Sequence, residues 1–211
     1  MKLPAWLESV SPGHLAVFLA RGASPRKSGL FIRHLCRCFP DVFSDPRSLA
    51  ALNAADAHEA GDLTEPEFSA AWQAAVLEGE DLTYAVRLAG DIAADGFFPN
   101  VMAQFRRAVL EHAGKGFNPR RNPTARAMRP VFFEHFGDPR SPVERDPSWL
   151  TSTVVKLAEG MYASRDFAAM PILADALMDA GCDNADVLDH CRADGPHVRG
   201  CWVVDLVLGK S

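Results

Sequence analysis

Apolar residues recur along this chain at intervals of three and four, and no stretch alternates apolar and polar positions with the period of two that a half-buried strand requires. Leu30, Phe31, Leu35 and Cys38 share a helical face, as do Leu49, Leu52 and Ala55, and then Val101, Phe105, Val109 and Leu110. The punctuation agrees with the spacing. Ser11-Pro12, Ser24-Pro25, Asp45-Pro46 and Asp146-Pro147 each place a capping side chain before a proline, at the first helical position, where the missing N–H leaves no bond unmade. Thr64-Glu65-Pro66-Glu67 reads as a capping box, the Thr oxygen serving one free N–H and the Glu reaching back to another. The run from Trp202 to Leu208 is apolar but for Asp205 and fits strand or helix equally on periodicity. A single strand would have no bonding partner in a helical chain, so a buried terminal helix is expected.

The fold class expected is therefore all-α, an irregular array of roughly ten short helices that could divide into two small helical modules. Gly114 to Pro123 and Gly137 to Asp146 are the most loop-like stretches. They suggest an N-terminal helical module over residues 1–115, a connecting helix and loops over 116–145, and a C-terminal helical module over 146–211. The connecting helix is expected from Thr124 to Phe136, kinked at Pro130. In the last module a helix from Asp146 onward should pack Trp149, Leu150, Val154, Val155 and Leu157 against Ile172, Leu173 and Leu177. Gly181 should end one helix before Asn184 starts the next, with Trp202 closing the core.

Composition narrows the class of protein more than its activity. With 48% hydrophobic and 23% charged residues the balance is that of an ordinary globular protein. No apolar run approaches the roughly 18 residues of a membrane span, and Met1 to Trp6 has neither the apolar stretch nor the small-residue site of a secretory leader. A cytoplasmic protein with no membrane partner is expected. Five cysteines, an odd number at irregular spacing, favour reduced thiols over a disulfide framework.

The net charge of −5 is unevenly spread. Arg21, Arg26, Lys27, Arg33 and Arg37 lie between His14 and Pro40 without an acid, whereas Asp41 to Asp95 holds twelve carboxylates against Arg47 and Arg87. From Gln104 to Arg129 the chain is basic again, with Glu111 the lone acid.

Two blocks carry a resemblance. Trp6-Leu7-Glu8-Ser9, Leu15 to Leu19, Ala23 to Lys27 and Leu30-Phe31 resemble the start of a group of uncharacterised planctomycete proteins. Asp146 to Thr151, Pro171 to Leu177 and His197-Val198-Arg199-Gly200-Cys201-Trp202 resemble the ending of the same group. Together the blocks span about half of the chain; the resemblance implies bacterial relatives and brings no catalytic residue with it.

Candidate chemistry concentrates at the end, where Cys182, Cys191 and Cys201 fall with His190 and His197 inside twenty residues. If that segment is helical, His197 and Cys201 stand four apart on one face, and His34 and Cys38 do the same on an earlier helix, so the two pairs could form a tetrahedral zinc site. Cys182, His190, Cys191 and Cys36 are alternative donors. The competing reading makes the cysteines small buried hydrophobes, and no cofactor is then expected. His190, Arg192, His197 and Arg199 around Gly195-Pro196 could instead hold an anion or small ligand, unless the arginines pair with acids of the same module. Arg106, Arg107, Arg120 and Arg121, with Phe117 to stack on a base, form the best basic patch for a nucleic acid. Neither a Gly-rich phosphate loop, a nucleophile elbow nor a His-Glu-x-x-His motif is present.

The first functional expectation is thus a non-enzymatic helical module that recognises another protein, with no catalytic residue assigned. The alternatives are a small enzyme or ligand or metal sensor using the C-terminal Cys/His/Arg block, and a nucleic-acid accessory protein using residues 104–129. A site should show polar groups converging in a pocket, whereas a scaffold should bury its cysteines and turn its charges outward.

Overall fold

The computed structural model describes residues 23–38, 46–76 and 123–210. Among them are eight α-helices, one 3-10 turn and no strand, and no helix is long and apolar enough to cross a membrane. Two compact units are distinguished, and the division falls between Val131 and Phe132. That is inside a helix, whereas the loop signals place boundaries near residues 115 and 146. The Ser11-Pro12 and Asp45 caps and the stretch 77–122 lie outside the described residues.

In the first unit, α1 (Pro25–Arg37), α2 (Pro46–Ala60) and α3 (Glu65–Val76) follow one another. Ser24 caps α1 as its sequence predicts, its Oγ accepting from Lys27 N at 3.2 Å. α1 meets α2 through ion pairs, Arg37 to Asp56 at 2.6 Å and Arg26 to Glu59 at 3.0 Å. The box at Thr64 is only half formed. Glu67 does reach back to Thr64 N, at 2.8 Å, but the Thr hydroxyl donates to the same carboxylate oxygen at 2.7 Å instead of accepting from a helix N–H. These bonds hold the Glu67 carboxyl below its usual range.

α4 (Pro123–Phe136) runs through Pro130 and begins one residue before the expected start. Its last turn opens the second unit, which continues with a 3-10 turn (Pro147–Trp149), α5 (Ser152–Ser164), α6 (Met170–Asp179), α7 (Ala185–Arg192) and α8 (Trp202–Leu208). Asp146 does act as a cap, accepting from Ser148 N at 2.8 Å, but it starts only the short 3-10 turn. Thr151 supplies a second cap, to Val154 N at 3.3 Å, and the long helix begins there. Gly181, at φ +91°, and Asn184, whose side chain accepts from Val187 N at 3.2 Å, turn α6 into α7 as expected.

The core of this unit joins Val154, Ala158 and Met161 of α5, Met170, Leu173, Ala174 and Leu177 of α6, Val187 and Cys191 of α7, and Val203, Val204 and Val207 of α8. Each Val, Leu and Met among them contributes about 1.5–3 kcal/mol on burial, against about 1 kcal/mol for a cap, so the apolar stripes decide the fold and the caps set where its helices begin. Ile172, expected in this core, is 58% exposed. The buried stripe of α6 runs 170, 173, 174, 177, and position 172 falls off it. The Trp202–Leu208 run is helical, and Val203, Val204 and Val207 seat it on the core. Trp202 itself is half-buried at the rim, lying against Gly137.

Candidate metal centre

Four potential ligands converge inside the second unit. Glu134 stands in the last turn of α4, which ends at Gly137 in the left-handed conformation (φ +62°). His190 stands in the last turn of α7, and Cys201 is the N-cap residue of α8. Between these two helices the chain cannot stay helical, because Gly195-Pro196 interrupts it and Gly200 takes φ +89°. His197 sits in that connection.

The ligand atoms of Glu134, His190, His197 and Cys201 all lie within 4.8 Å of one another. Glu134 Oε2 is 3.1 Å from His197 Nδ1 and 3.3 Å from His190 Nε2, which is in turn 3.2 Å from Cys201 Sγ. The side chains of Glu134, His190 and His197 are at most 5% exposed, and Cys201 is fully buried. Glu134 Oε1 accepts from Val198 N at 3.1 Å, and His135 donates from Nδ1 to the Gly200 carbonyl at 3.1 Å. Neighbouring residues at the end of α4 thus fasten the segment that carries His197.

The charges follow from these contacts. Burial alone would raise the Glu134 carboxyl, but hydrogen bonds from His190 and His197 outweigh it and bring the value to about 2. A carboxylate that accepts several N–H bonds is held ionised in this way. For His197, burial works against protonation, yet the Glu134 carboxylate wins and raises its pKa. The Cys201 thiol is pushed well above its usual range, by burial first and by the negative Glu134 second. It is therefore a thiol, and no nucleophile, until a cation displaces its proton.

A carboxylate oxygen, two imidazole nitrogens and a thiol sulfur form a donor set suited to zinc and its first-row neighbours, and unsuited to magnesium or calcium. Zinc–nitrogen bonds of about 2.0–2.1 Å put the edges of a tetrahedron at about 3.3 Å, and a sulfur lengthens its edges to about 3.6 Å. The three separations around Glu134 Oε2 and His190 Nε2 are already close to that, and the others, none above 4.8 Å, would shorten by at most about 1.2–1.5 Å.

The structure brings together His197 and Cys201, as the zinc expectation requires, but not as an i, i+4 pair on a helix: one lies in a loop and the other at a cap. Their close companions are His190 and Glu134. His34 and Cys38 belong to the other unit, where His34 is half-buried on α1 and Cys38 is exposed at its end. Cys36, Cys182 and Cys191 are free and buried, and burial pushes Cys36 and Cys191 to about 12. Glu134 was missed by sequence reasoning, though a signal exists: it is the one acid within the aromatic run Phe132-Phe133-Glu134-His135-Phe136.

The anion-site candidates point apart. Arg192 pairs with Asp175 at 3.0 Å on the surface. Arg199 donates to the Tyr162 carbonyl at 2.8 Å and lies 4.6 Å from the centroid of that ring, while His190 and His197 turn to Glu134. Arg106, Arg107, Phe117, Arg120 and Arg121 lie outside the described residues. An open groove of about 460 Å³ lies along α5 and α6, lined by Leu157, Gly160, Met161, Ala169 and Ile172 with Lys156 and Asp166 among its polar groups. Comparison of the chain with protein-family models, with curated proteins and with solved structures finds no match.

Proposed function

We propose that the second unit is a metal-binding module that takes one divalent ion of the zinc class on Glu134 Oε2, His190 Nε2, His197 Nδ1 and Cys201 Sγ, serving a sensing or structural role. The observation that carries this reading is the convergence of a thiol, two imidazoles and a carboxylate within 4.8 Å in a buried region. Carboxylate and thiolate together supply two negative charges, which a divalent cation neutralises without a further partner. Catalytic zinc sites keep one coordination position open to water or substrate. Here four protein donors enclose the ion, which favours a non-enzymatic role.

Calorimetric titration of the tag-free protein with zinc chloride tests the proposal. One equivalent should bind to the parent chain and none to His190→Ala or Cys201→Ser, both checked for retained helical circular dichroism. Equal binding by parent and variants would remove the site from consideration.

A second reading, recognition of another protein, is favoured by the α5–α6 groove and by Ile172, which stands 58% exposed beside it. Gly160→Leu would obstruct the groove without touching the metal ligands. A partner that still bound this variant would have to use another surface.

A further inference from the structure

We infer that the ion is exchanged in and out of a preformed cage, and not retained as a permanent part of the fold, so that occupancy follows the free zinc concentration; this rests on the metal-binding reading above. Two features of the cage carry the inference.

The first is that the ligands are hydrogen-bonded to one another in their own right. Glu134 accepts an N–H from His197 and one from the backbone of Val198, with His190 Nε2 3.3 Å from the same carboxylate and bonded to Cys201 Sγ, so its carboxylate is satisfied without a cation. Departure of the ion therefore exposes no bare buried charge. Small zinc domains whose ligands are gathered only by the metal unfold when it leaves. In this unit the ligands are gathered by the ends of α4 and α7 and the start of α8, whose helices pack through the core.

The second is a penalty on loading that falls on His190. For Nε2 to offer its lone pair to a metal, the ring proton must sit on Nδ1. That atom is enclosed, with no hydrogen-bond partner among the described residues. Histidine ligands ordinarily donate this outer N–H to a carboxylate or carbonyl, and losing such a partner weakens metal binding by about 10- to 100-fold. His197 shares the feature in milder form. Its Nε2 closes no hydrogen bond, although the Ala193 carbonyl lies near enough to favour a proton on the ring. On loading, Cys201 gives its thiol proton to the solvent buffer and recovers one on release, and no electron changes hands. The segment from Ala193 to Cys201, which joins α7 to α8 and carries His197, is where occupancy should be felt.

The test uses the full tag-free chain, with zinc chloride as the probe and a chromophoric zinc chelator as competitor. Dialysis against EDTA under native conditions should remove the zinc while the helical circular dichroism and a cooperative melt persist. Reloading should restore one equivalent and slow amide hydrogen exchange in residues 193–201 by about an order of magnitude. Zinc that survives EDTA until the protein unfolds, or whose removal itself unfolds the second unit, would overturn exchange. Zinc binding that leaves exchange in 193–201 unchanged would overturn the coupling to that segment. If zinc binds neither before nor after dialysis, the metal-binding reading itself fails.

Discussion

Glu134 and His197, 63 positions apart in the sequence, meet at 3.1 Å with both side chains at most 5% exposed. The contact joins the last turn of α4 to the connection before α8, and it makes Glu134 the acceptor on which the polar interior of this unit depends. Replacing it by Gln removes the charge and sets an amide N–H against one of its donors, His197 or the Val198 N–H. Glu134→Gln should lower stability by about 1–3 kcal/mol, read from urea unfolding in the presence of EDTA. An unchanged midpoint would mean that these bonds contribute nothing net.

The metal-free protein should show two opposed pH limbs. Glu134 has its folded pKa depressed, to about 2, so its contribution is complete above the unfolded value near 4.5 and is lost as pH falls toward 2. His197 has its folded pKa raised above 6.5, so its contribution is complete below 6.5 and is lost as pH rises through the folded value. The apo protein is thus expected to be most stable between about pH 4.5 and 6.5 as far as these two groups are concerned. Zinc affinity should run the other way, rising with pH as protons cease to compete for His197 and Cys201. Urea midpoints in EDTA across pH 3 to 9, beside zinc titrations over the same range, check both trends. A zinc affinity independent of pH would contradict a site built on these ligands.

Two glycines should respond in opposite directions. Gly137 combines a left-handed φ of +62° with a close approach, since a Cβ there would stand 3.1 Å from Trp202 Cδ2. Gly137→Ala is expected to cost about 1–3 kcal/mol. Gly160 lies within α5 with nothing in reach of an added Cβ, so Gly160→Ala should stabilise by roughly 0.5–1 kcal/mol. Thermal melts of the two variants give the signs directly.

Much of the second unit is legible in the sequence because its local signals act alone. Asn184 caps the helix it precedes, Gly181 turns α6 into α7, and Leu173 and Leu177 face the core. Local signals misled where two competed. Asp146 is a genuine cap, but Thr151 lies five residues on, and the longer helix starts from the second. Ile172 is apolar enough for a core, and only its angular position on α6 turns it outward.

The candidate centre was half legible for a different reason. His190, His197 and Cys201 are close in sequence and invited a metal reading. Their fourth companion comes from 56 residues before His190 in the chain, and such a pairing is fixed by how α4 ends against α7 and α8, which no local pattern encodes. The helical spacing paired His197 with Cys201, and the structure does bring them within 4.8 Å, but not along one helix. Gly195, Pro196 and Gly200 break the helix, and the two ligands meet because Glu134 and His135 hold the connection.

Cobalt(II) titration of the zinc-free chain, followed by visible absorption, decides whether Glu134, His190, His197 and Cys201 take up a metal together, because tetrahedral sites with a thiolate ligand give strong d–d bands and a sulfur-to-metal charge-transfer band. Such a spectrum is expected, saturating at one equivalent, bleached by zinc and lacking the charge-transfer band in Cys201→Ser. A weak octahedral spectrum, or one that Cys201→Ser leaves intact, would contradict that expectation.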